Sequence, residues 1–416
     1  MLDREKVHSL VIEPSIMRML SRFKAEYGFI NTKFNIATEE DFFEEDSFRG
    51  KSHVYNWIQG RGLEAIAKHI LYFRSIGEKD TAERLYAMLS VVVKNTEAAR
   101  SGNGGRLPFV MSPEGQSMSE IYPEANFTDL FYGKGLFAAA NVLEDKALAS
   151  EAAKLYALAV RKIGFQLFRT DQKSFDPKNP VEYVPGKFPQ GPRMISLSGL
   201  ADLALAGNGE AQWLDIAATF IAFVFQFHVN QGQLGDNLQI FDFVETIDAE
   251  SKPRMEGDKL LCDPGHALEF VGLAGKCLLA MRKLGVHADL IEKSRGILPE
   301  LFRHTFDFGF QKGPGGIVKA YDLISRTPSN SDMPWWSLPE TIRAGIELQD
   351  LFPNEAQGVE ERIQLAWQAF SGKFLQKNGF ACQTRDEKGE IVNVIPALPD
   401  ADPGYHTNLS LLDCLP

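Results

Sequence analysis

Segments with helical periodicity recur along the whole chain, and the links that join them alternate between short and long. The candidate helices cover residues 10–28, 57–76, 79–99, 127–142, 145–164, 193–206, 209–228, 262–284, 287–307, 334–349, 353–376 and 404–415. Short links such as Leu284-Gly285-Val286 are typical of two antiparallel helices that pack as a hairpin. The long links, rich in Gly, Pro, Asp and Asn, cover residues 100–126, 165–192, 229–261, 308–333 and 377–403.

The alternation has a period of about 60 residues, and a helical hairpin that repeats in this way is the signature of a repeat architecture. We therefore predict an all-α fold, an (α/α)6 barrel of twelve helices. It has an inner and an outer ring, and its long loops surround one mouth. In this prediction residues 1–416 form a single domain, although a chain of this length ordinarily suggests about two or three domains.

The helices that follow a long loop begin with aromatic or polar residues, whereas those that follow a short link are amphipathic, as an outer ring requires. If the inner helices run parallel, their first turns meet at one mouth of the barrel. That mouth gathers Tyr55, Trp57, Arg61, Arg193, His266, Glu269, Trp335, Trp336, Glu340 and His406. Aromatic faces beside a few fixed hydrogen-bonding groups suit a carbohydrate ring, so we predict a small-molecule sugar substrate. About half of these aromatic residues could equally well fill the barrel core.

The segment from Cys262 to Phe270 places an ionisable imidazole in the first turn of an apolar helix. Asp263 is predicted to cap this helix, and Pro264 suits the first helical position. His266 and Glu269, three residues apart, share one face. A carboxylate beside a histidine tunes the histidine pKa for proton transfer, so this pair is a candidate acid/base site. The alternative is a capped core helix that carries one hydrogen-bonded histidine.

Composition excludes several classes of function. Apolar residues make up 44% of the chain and charged residues 24%, which is typical of a globular protein. The formal net charge of −11 argues against nucleic acid or a membrane surface as partner, since both require a basic stripe. The charged N-terminus leads into no apolar segment, so we expect a cytoplasmic protein. The four cysteines lack regular spacing, and we expect no metal site.

Four motifs carry a resemblance to a known family. Tyr55-x-Trp57-x-Gln59-Gly60-Arg61 is similar to an arginine-bearing inner helix, and Pro264-Gly265-His266-Ala267-Leu268-Glu269 to a central histidine motif. Trp335-Trp336-x-x-x-Glu340 is similar to a tryptophan and glutamate pattern, and Tyr405-His406 to a second histidine site. In order and spacing these motifs resemble, over nearly the whole chain, the N-acylglucosamine 2-epimerase family. That family also includes cellobiose 2-epimerases, mannose isomerases and sulfoquinovose isomerases.

The resemblance implies an isomerase that acts on the open-chain form of a reducing sugar, without a cofactor or a required metal. His266 and His406 would be the proton carriers, Glu269 would orient His266, and Arg61 would hold the carbonyl oxygen. The remaining candidates for substrate binding are Tyr55, Trp57, Gln59, Arg193, Trp335, Trp336 and Glu340. Arg193 and Glu340 each have two equally open roles. One is to bind a hydroxyl group of the substrate, and the other is to hold a neighbouring side chain in place.

One position departs from the family pattern. The chain has Met194-Ile195 where the isomerases and cellobiose epimerases of the family commonly carry a histidine after the methionine. An apolar residue there removes a hydrogen-bond donor and leaves space for a 2-acylamino group. We therefore expect interconversion of N-acetylglucosamine and N-acetylmannosamine, with a mannose–fructose isomerase as the alternative.

Two other classes of function compete. A glycoside hydrolase or lyase could use Asp129, Asp242 or Glu245, although no two of these form a convincing motif. A non-catalytic sugar- or protein-binding member of the family is the second alternative. The glycine-rich segment 101–106 matches neither the P-loop nor the GxGxxG pattern and is predicted to be a turn. A nucleotide effector, known for some family members, and a homodimer stay open expectations.

Overall fold

The computed structural model describes residues 2–36, 38–43, 48–173, 183–206, 210–392 and 402–415. Its α-helices are α1 (Arg4–Val7), α2 (Glu13–Arg22), α3 (Asn56–Ser75), α4 (Lys79–Gly102), α5 (Phe127–Val142), α6 (Lys146–Gly164), α7 (Gly191–Leu205), α8 (Gln212–Phe227), α9 (Pro264–Leu284), α10 (Ala288–Arg295), α11 (Leu298–Gly309), α12 (Ser337–Leu351), α13 (Val359–Ala369) and α14 (Ser410–Leu412). Three π-helical turns add to them at His8–Ile12, Phe370–Phe374 and Tyr405–Leu409.

The predicted (α/α)6 barrel is confirmed by the contacts between helices. The inner ring runs through α3, α5, α7, α9 and α12 to the segment 405–412, which packs against both α12 and α3 and so closes the circle. On the outside, α4 covers α3, α6 covers α5, α8 covers α7, α10 and α11 cover α9, and α13 covers α12. The N-terminal segment 4–22 packs on the closing segment through its π-helical turn. The first and last parts of the chain therefore complete one helical pair.

Burial follows the two rings. α9, an inner helix, is buried along almost its whole length, whereas α6 and α8 bury one face and expose the other. The short link between α9 and α10 forms as predicted, with Gly285 ending α9 at a φ of +68°. That left-handed backbone conformation favours glycine. None of the described helices is both long and apolar enough to cross a lipid bilayer.

Short antiparallel strands line one rim of the barrel. They are β1 (Val54–Tyr55), β2 (Val110–Met111), β3 (Phe188–Pro189), β4 (Thr246–Ile247), β5 (Leu261–Cys262), β6 (Phe310–Gln311), β7 (Gly316–Ile317), β8 (Ala320–Asp322), β9 (Thr327–Asn330), β10 (Met333–Pro334) and β11 (Thr384–Arg385). They pair as β1–β2, β3–β4, β5–β8–β9, β6–β7 and β10–β11. β1, β3, β5 and β10 each lead directly into an inner helix. The long loops therefore hold the first turns of these helices at one mouth.

Several predicted helices differ from the structure: the one over 10–28 ends at Arg22, and the one over 353–376 begins only at Val359. Two others differ in their internal structure. The segment predicted as one helix over 287–307 is two helices, α10 and α11, which are separated at Gly296. The segment predicted as a helix over 404–415 begins as the π-helical turn Tyr405–Leu409 and ends in a single α-helical turn. The Asp402 carboxylate holds this turn, accepting hydrogen bonds from the backbone N–H groups of Tyr405 (2.7 Å) and Thr407 (2.8 Å). Tertiary packing determines the break at Gly296 and the π-helical start at Tyr405, and the periodicity of the sequence does not show either of them.

Candidate active site

The first histidine of the site lies in the opening turn of α9. Asp263 caps the helix as predicted, because its carboxylate accepts a hydrogen bond from the His266 backbone N–H (3.3 Å). The His266 imidazole is held by two carboxylates, Glu245 Oε1 at 3.0 Å and Asp263 Oδ2 at 3.4 Å from Nδ1. With Nδ1 occupied, Nε2 is the ring nitrogen left for proton exchange with a substrate. Glu269 was predicted to orient His266, but the structure places Glu245 and Asp263 at the imidazole Nδ1 instead.

Backbone pairing brings Glu245 to this position from a distant loop. Its N–H donates to the Leu261 carbonyl (2.9 Å), and its own carbonyl accepts from the Gln190 N–H (3.1 Å). Glu245 therefore bridges the strands that precede α7 and α9. On the other side of β5, pairing with β8 places Lys319 beside the helix cap, where its ammonium donates to Asp263 Oδ2 (2.6 Å).

These charges act on the protonation of His266. Burial alone would lower the imidazole pKa, but the carboxylates of Asp263 and Glu245 outweigh burial and raise the pKa to about 9. Burial would likewise raise the pKa of Asp263, yet the charges of His266 and Lys319 lower it. The two carboxylates beside the His266 imidazole therefore favour its charged form.

The second histidine repeats this geometry on the closing segment. His406 Nδ1 lies 2.9 Å from Glu340 Oε1, so Nε2 is again the nitrogen left for chemistry. The other oxygen of Glu340 accepts a hydrogen bond from the Arg343 guanidinium, one turn further along α12. Burial would raise the Glu340 pKa, but Arg343 and His406 lower it. The Glu340 carboxylate therefore binds two groups, the His406 imidazole and the permanently charged Arg343 guanidinium.

Aromatic rings connect the two imidazoles. The Trp336 ring lies 5.4 Å from the His266 ring and 5.6 Å from the His406 ring, measured between centroids. The Trp335 indole N–H donates to Thr407 Oγ1 (3.0 Å), which fixes that ring beside the closing segment. A Cβ at Gly265 would lie only 2.8 Å from Trp336, so the glycine of the histidine motif lets this tryptophan approach α9. The structure therefore brings His266, Trp335, Trp336 and His406 together, as predicted.

Glu269 belongs to the second histidine rather than the first. One oxygen or nitrogen atom from each of Glu269, Glu340 and His406 lies within 4.8 Å of the others. Burial and the nearby Glu340 carboxylate raise the Glu269 pKa, with weaker opposing effects from His406 and His266. A protonated Glu269 would donate a hydrogen bond to a substrate oxygen. The spacing would also suit a cation, but both oxygens of Glu340 already have partners, and we assign no ion to the cluster.

Arg61 lies in an aromatic cage at the same mouth. Its guanidinium carbon is 4.2 Å from the centroid of Phe131, 5.2 Å from that of Tyr405 and 5.3 Å from that of Trp57. Burial lowers the Arg61 pKa, against the charges of Tyr405, Asp402, Glu269 and Glu340. Stacking fixes the planar guanidinium, which keeps its hydrogen-bond donors for a ligand oxygen.

Three predicted substrate contacts from the arginine motif have other partners. The Tyr55 hydroxyl donates to the Phe48 carbonyl (2.7 Å). The Gln59 amide forms two hydrogen bonds of 2.9 Å with the backbone of Ile30, and so anchors the N-terminal segment. The Trp57 indole N–H donates to Asp171 (3.2 Å), whose carboxyl pKa is raised by burial to about 6. These side chains support the wall around Arg61.

Arg193 packs against the outer helix α8. Its guanidinium carbon is 3.7 Å from the centroid of Phe223 on the outer helix α8, and the side chain is buried. Burial lowers the Arg193 pKa to about 10. Of the two roles left open by the sequence, this geometry favours packing between α7 and α8.

The carboxylates considered for a hydrolase are engaged elsewhere. Asp129 pairs with the Arg106 guanidinium and completes a capping box with Asn126 at the start of α5. Asp242 is fully buried and pairs with His304 (2.8 Å) and Arg326 (2.8 Å). Glu245 pairs with His266. Each of the three carboxylates therefore pairs with a basic side chain, whereas a glycoside hydrolase requires two carboxyl groups that flank the same bond of the substrate.

The sequence indicated Glu245 only as a carboxylate of the hydrolase alternative, and it did not indicate Lys319 or Arg343 as residues of the site. Their positions depend on strand pairing between loops or on a helical neighbour of Glu340, and none has a motif of its own. Arg343 carried the most accessible signal, because a basic residue three positions after a glutamate on a helix can form an ion pair.

Comparison with known proteins identifies the family of this chain. A sequence model described as N-acylglucosamine 2-epimerase (GlcNAc 2-epimerase) matches residues 85–408, a range that includes both histidines and lies after Arg61. No curated protein sequence matches the chain.

Solved structures share the fold at low sequence identity. A sugar epimerase from a ruminal bacterium has a TM-score of 0.72 at 12% identity, covering 98% of this chain and 97% of that one. Cellobiose 2-epimerase from Bacillus thermoamylovorans B4167 has a TM-score of 0.70 at 11% identity, with coverages of 98% and 97%. A D-mannose isomerase has a TM-score of 0.62 at 14% identity, with coverages of 96% and 96%.

The family match spans most of the barrel, including α9 with His266 and Glu269. The likeness to the solved structures extends over nearly the whole chain and shows the same fold. The chain therefore belongs to the N-acylglucosamine 2-epimerase family, whose members are carbohydrate epimerases and isomerases.

Proposed function

We propose that this protein is a carbohydrate 2-epimerase that moves a proton at C2 of a free reducing sugar. The observation that carries the proposal is the pair of imidazoles, each held at Nδ1 by a glutamate and each packed against Trp336. Inversion at C2 requires one proton carrier on each face of the carbon. His266 on α9 and His406 on the closing segment approach the pocket from different inner elements.

In the proposed reaction one histidine removes the C2 proton from the open-chain aldose. The electron pair of the C–H bond forms a C1=C2 double bond, and the carbonyl pair moves onto O1. Arg61 and a protonated Glu269 are the donors available for that oxygen. The other histidine then returns a proton to C2 from the opposite face, and the O1 charge collapses to the carbonyl. Solvent re-equilibrates the two imidazoles.

For the substrate we propose the pair N-acetylglucosamine and N-acetylmannosamine. The reasoning rests on Ile195, which is partly exposed in the first turns of α7 while Met194 is buried. An apolar side chain at this position favours the methyl group of a 2-acetamido substituent over a bare hydroxyl. The structural neighbours that are cellobiose 2-epimerases make cellobiose the most informative competing epimerisation substrate.

The test is NMR of the protein incubated in D2O with N-acetylglucosamine, N-acetylmannosamine, cellobiose, mannose and fructose in separate samples. We expect the two acetylated sugars to interconvert with deuterium incorporated at C2. The control variant is His287→Ala, which removes a histidine–carboxylate pair on the outer surface (2.8 Å to Asp215) and should leave the rate unchanged. Turnover of cellobiose alone would refute the substrate, and absence of exchange in every sugar would favour a binding function.

An aldose–ketose isomerase of the same family is the second candidate. It is favoured by the raised pKa of Glu269, because isomerisation also needs a proton moved between O1 and O2, which a neutral carboxyl can donate. Fructose formed readily from mannose, with no epimer from either acetylated sugar, would establish this reaction instead.

A further inference from the structure

The two histidines of the site have the same hydrogen-bond geometry but different surrounding charge. His266 faces the two carboxylates of Glu245 and Asp263, and one ammonium, that of Lys319, offsets them. Glu245 uses one carboxylate oxygen for the imidazole, while the other is buried and has no hydrogen-bond partner among the described residues. Among the described residues, His266 is therefore the hydrogen-bond partner of the negatively charged Glu245 carboxylate.

His406 faces a carboxylate whose charge is already compensated. Glu340 pairs with the Arg343 guanidinium, and Arg343 also lies 3.7 Å from Asp413. Glu269 from α9 and Arg61 from α3 are further charged neighbours of Glu340. A permanent cation thus competes with His406 for Glu340.

We propose that Glu245 is a positioning residue that, with Asp263, holds His266 as an imidazolium whose Nε2–H faces the substrate, against the opposing charge of Lys319. In the resting enzyme His266 is then the proton donor and His406 the base. This assignment of roles rests on the proposed function, whereas the charged state of His266 does not.

The division of roles keeps the protons balanced. His406 Nε2 takes the proton from C2 and becomes the cation, and His266 Nε2 gives its proton to the other face of C2 and becomes neutral. The total charge of the two histidines is unchanged across the step. In the reverse direction the same two transfers run backwards, from the tautomer in which His406 carries the proton.

The test is an NMR titration of the imidazole signals in the free, full-length protein. The His266 signal is identified among the eight histidines by its loss in His266→Gln. We expect a wild-type midpoint near 9, and a midpoint lower by roughly one unit or more in Glu245→Gln, since one nearby opposite charge is removed. Lys319→Met should move the midpoint upward, because it removes the cation that opposes the imidazolium.

The matched control is Asp215→Asn, which breaks the carboxylate–histidine pair of His287 on the protein surface and should leave the His266 midpoint unchanged. A wild-type midpoint near the ordinary histidine value of about 6.5 would overturn the proposal. The same conclusion would follow if folded Glu245→Gln and Lys319→Met both titrated like the wild type.

A second readout uses turnover. Deprotonation of His266 should set the alkaline limb of the pH profile of kcat/KM, and Glu245→Gln should move that limb to lower pH, not only reduce the rate. If no sugar is turned over but the midpoints shift as expected, the proposed function fails while the role of Glu245 stands. If turnover is found and the alkaline limb does not move in Glu245→Gln, the donor role of His266 is refuted.

Discussion

At the scale of single residues, the site consists of two histidines that differ in the charge around them. A glutamate from another part of the chain occupies Nδ1 of each ring and leaves Nε2 for the substrate. His266 is about a third exposed and His406 is more buried, so His266 exchanges protons with solvent more readily. Glu245 fixes the orientation of His266, and Glu340 fixes that of His406.

Removal of either imidazole should stop turnover without unfolding the barrel. We expect His266→Ala and His406→Ala each to lower kcat by at least about a hundredfold, since a general acid or base contributes roughly 10² to 10⁴ in rate. Steady-state kinetics measures this loss, and circular dichroism with thermal melting confirms that each variant is folded. Activity within about tenfold of the wild type in either variant would contradict the two-histidine reaction.

At the scale of helices, the close approach of α3 and α5 depends on two glycines. A Cβ at Gly135 would lie 2.1 Å from the Gly60 carbonyl oxygen, and a Cβ at Gly60 would lie 2.6 Å from the Phe131 backbone. Gly60 belongs to the motif that carries Arg61, and Phe131 stacks on that arginine. The two glycines therefore let α5 lie close enough to α3 for Phe131 to stack on the Arg61 guanidinium.

Gly135→Ala should force α3 and α5 apart. Overpacking of this kind costs about 3 kcal/mol, and we expect the free energy of unfolding in urea to fall by that amount. The control is Gly102→Ala at the end of α4, where an added Cβ meets no atom within 4 Å and the free energy of unfolding should stay within about 1 kcal/mol of the wild type. If the two variants had the same free energy of unfolding, α3 and α5 could move apart without destabilising the protein, and the prediction would be wrong.

The packing of α7 against α8 gives a second prediction at this scale. Arg193 is buried on Phe223 without an ion pair among the described residues, so the cation–π contact compensates only part of the cost of desolvating its charge. Arg193→Met should keep or raise the unfolding free energy, by up to about 4 kcal/mol, as for other buried charges replaced by apolar residues. Activity should stay within about threefold of the wild type. A tenfold rise in KM at unchanged stability would instead support the sequence-based role in substrate binding.

At the scale of the whole molecule, a network of buried and partly exposed charged side chains joins the inner elements of the barrel. Glu64 lies 3.0 Å from Lys134, Lys68 lies 3.0 Å from Asp202, and Lys276 lies 2.9 Å from the same carboxylate. Arg343 and Asp413 extend the network to α12 and the closing segment. Because Lys134 also donates to the Tyr405 hydroxyl, this network connects directly to the turn that carries His406.

Loss of one partner should leave an uncompensated charge inside the barrel. In Glu64→Gln, Lys134 keeps its hydrogen bond to Ser198 (2.9 Å) but loses its carboxylate. We expect the free energy of unfolding to fall by roughly 3–5 kcal/mol, measured by denaturant titration. The surface pair of Arg282 and Asp350 (2.8 Å) provides the control, since Asp350→Asn should cost less than about 1 kcal/mol. Similar losses in both variants would contradict a stabilising role for the network.

The protein should also keep its activity after metal ions are removed. The sequence predicts no required metal, and the donors nearest the developing oxyanion are Arg61 and Glu269. Dialysis against a strong chelator, followed by the D2O exchange assay, measures this directly. Loss of exchange that returns with one divalent ion would contradict the expectation and assign an ion to the cluster of Glu269, Glu340 and His406.

The sequence by itself determined the barrel, its two rings and some of the residues that meet at its mouth. Apolar periodicity and link length are local properties, so they report helices and hairpins without knowledge of the fold. The cap at Asp263 and the convergence of His266, His406 and the two tryptophans followed from that local information.

The partners of those residues were decided only by tertiary structure. Glu245 reaches His266 because β-strands from separate long loops pair across the rim, and Lys319 reaches Asp263 in the same way. Gln59 binds the N-terminal segment, and Arg193 turns to an outer helix, because burial and space in the packed barrel select one rotamer. Such pairings lie tens of residues apart in sequence, where periodicity and spacing carry no information about contact.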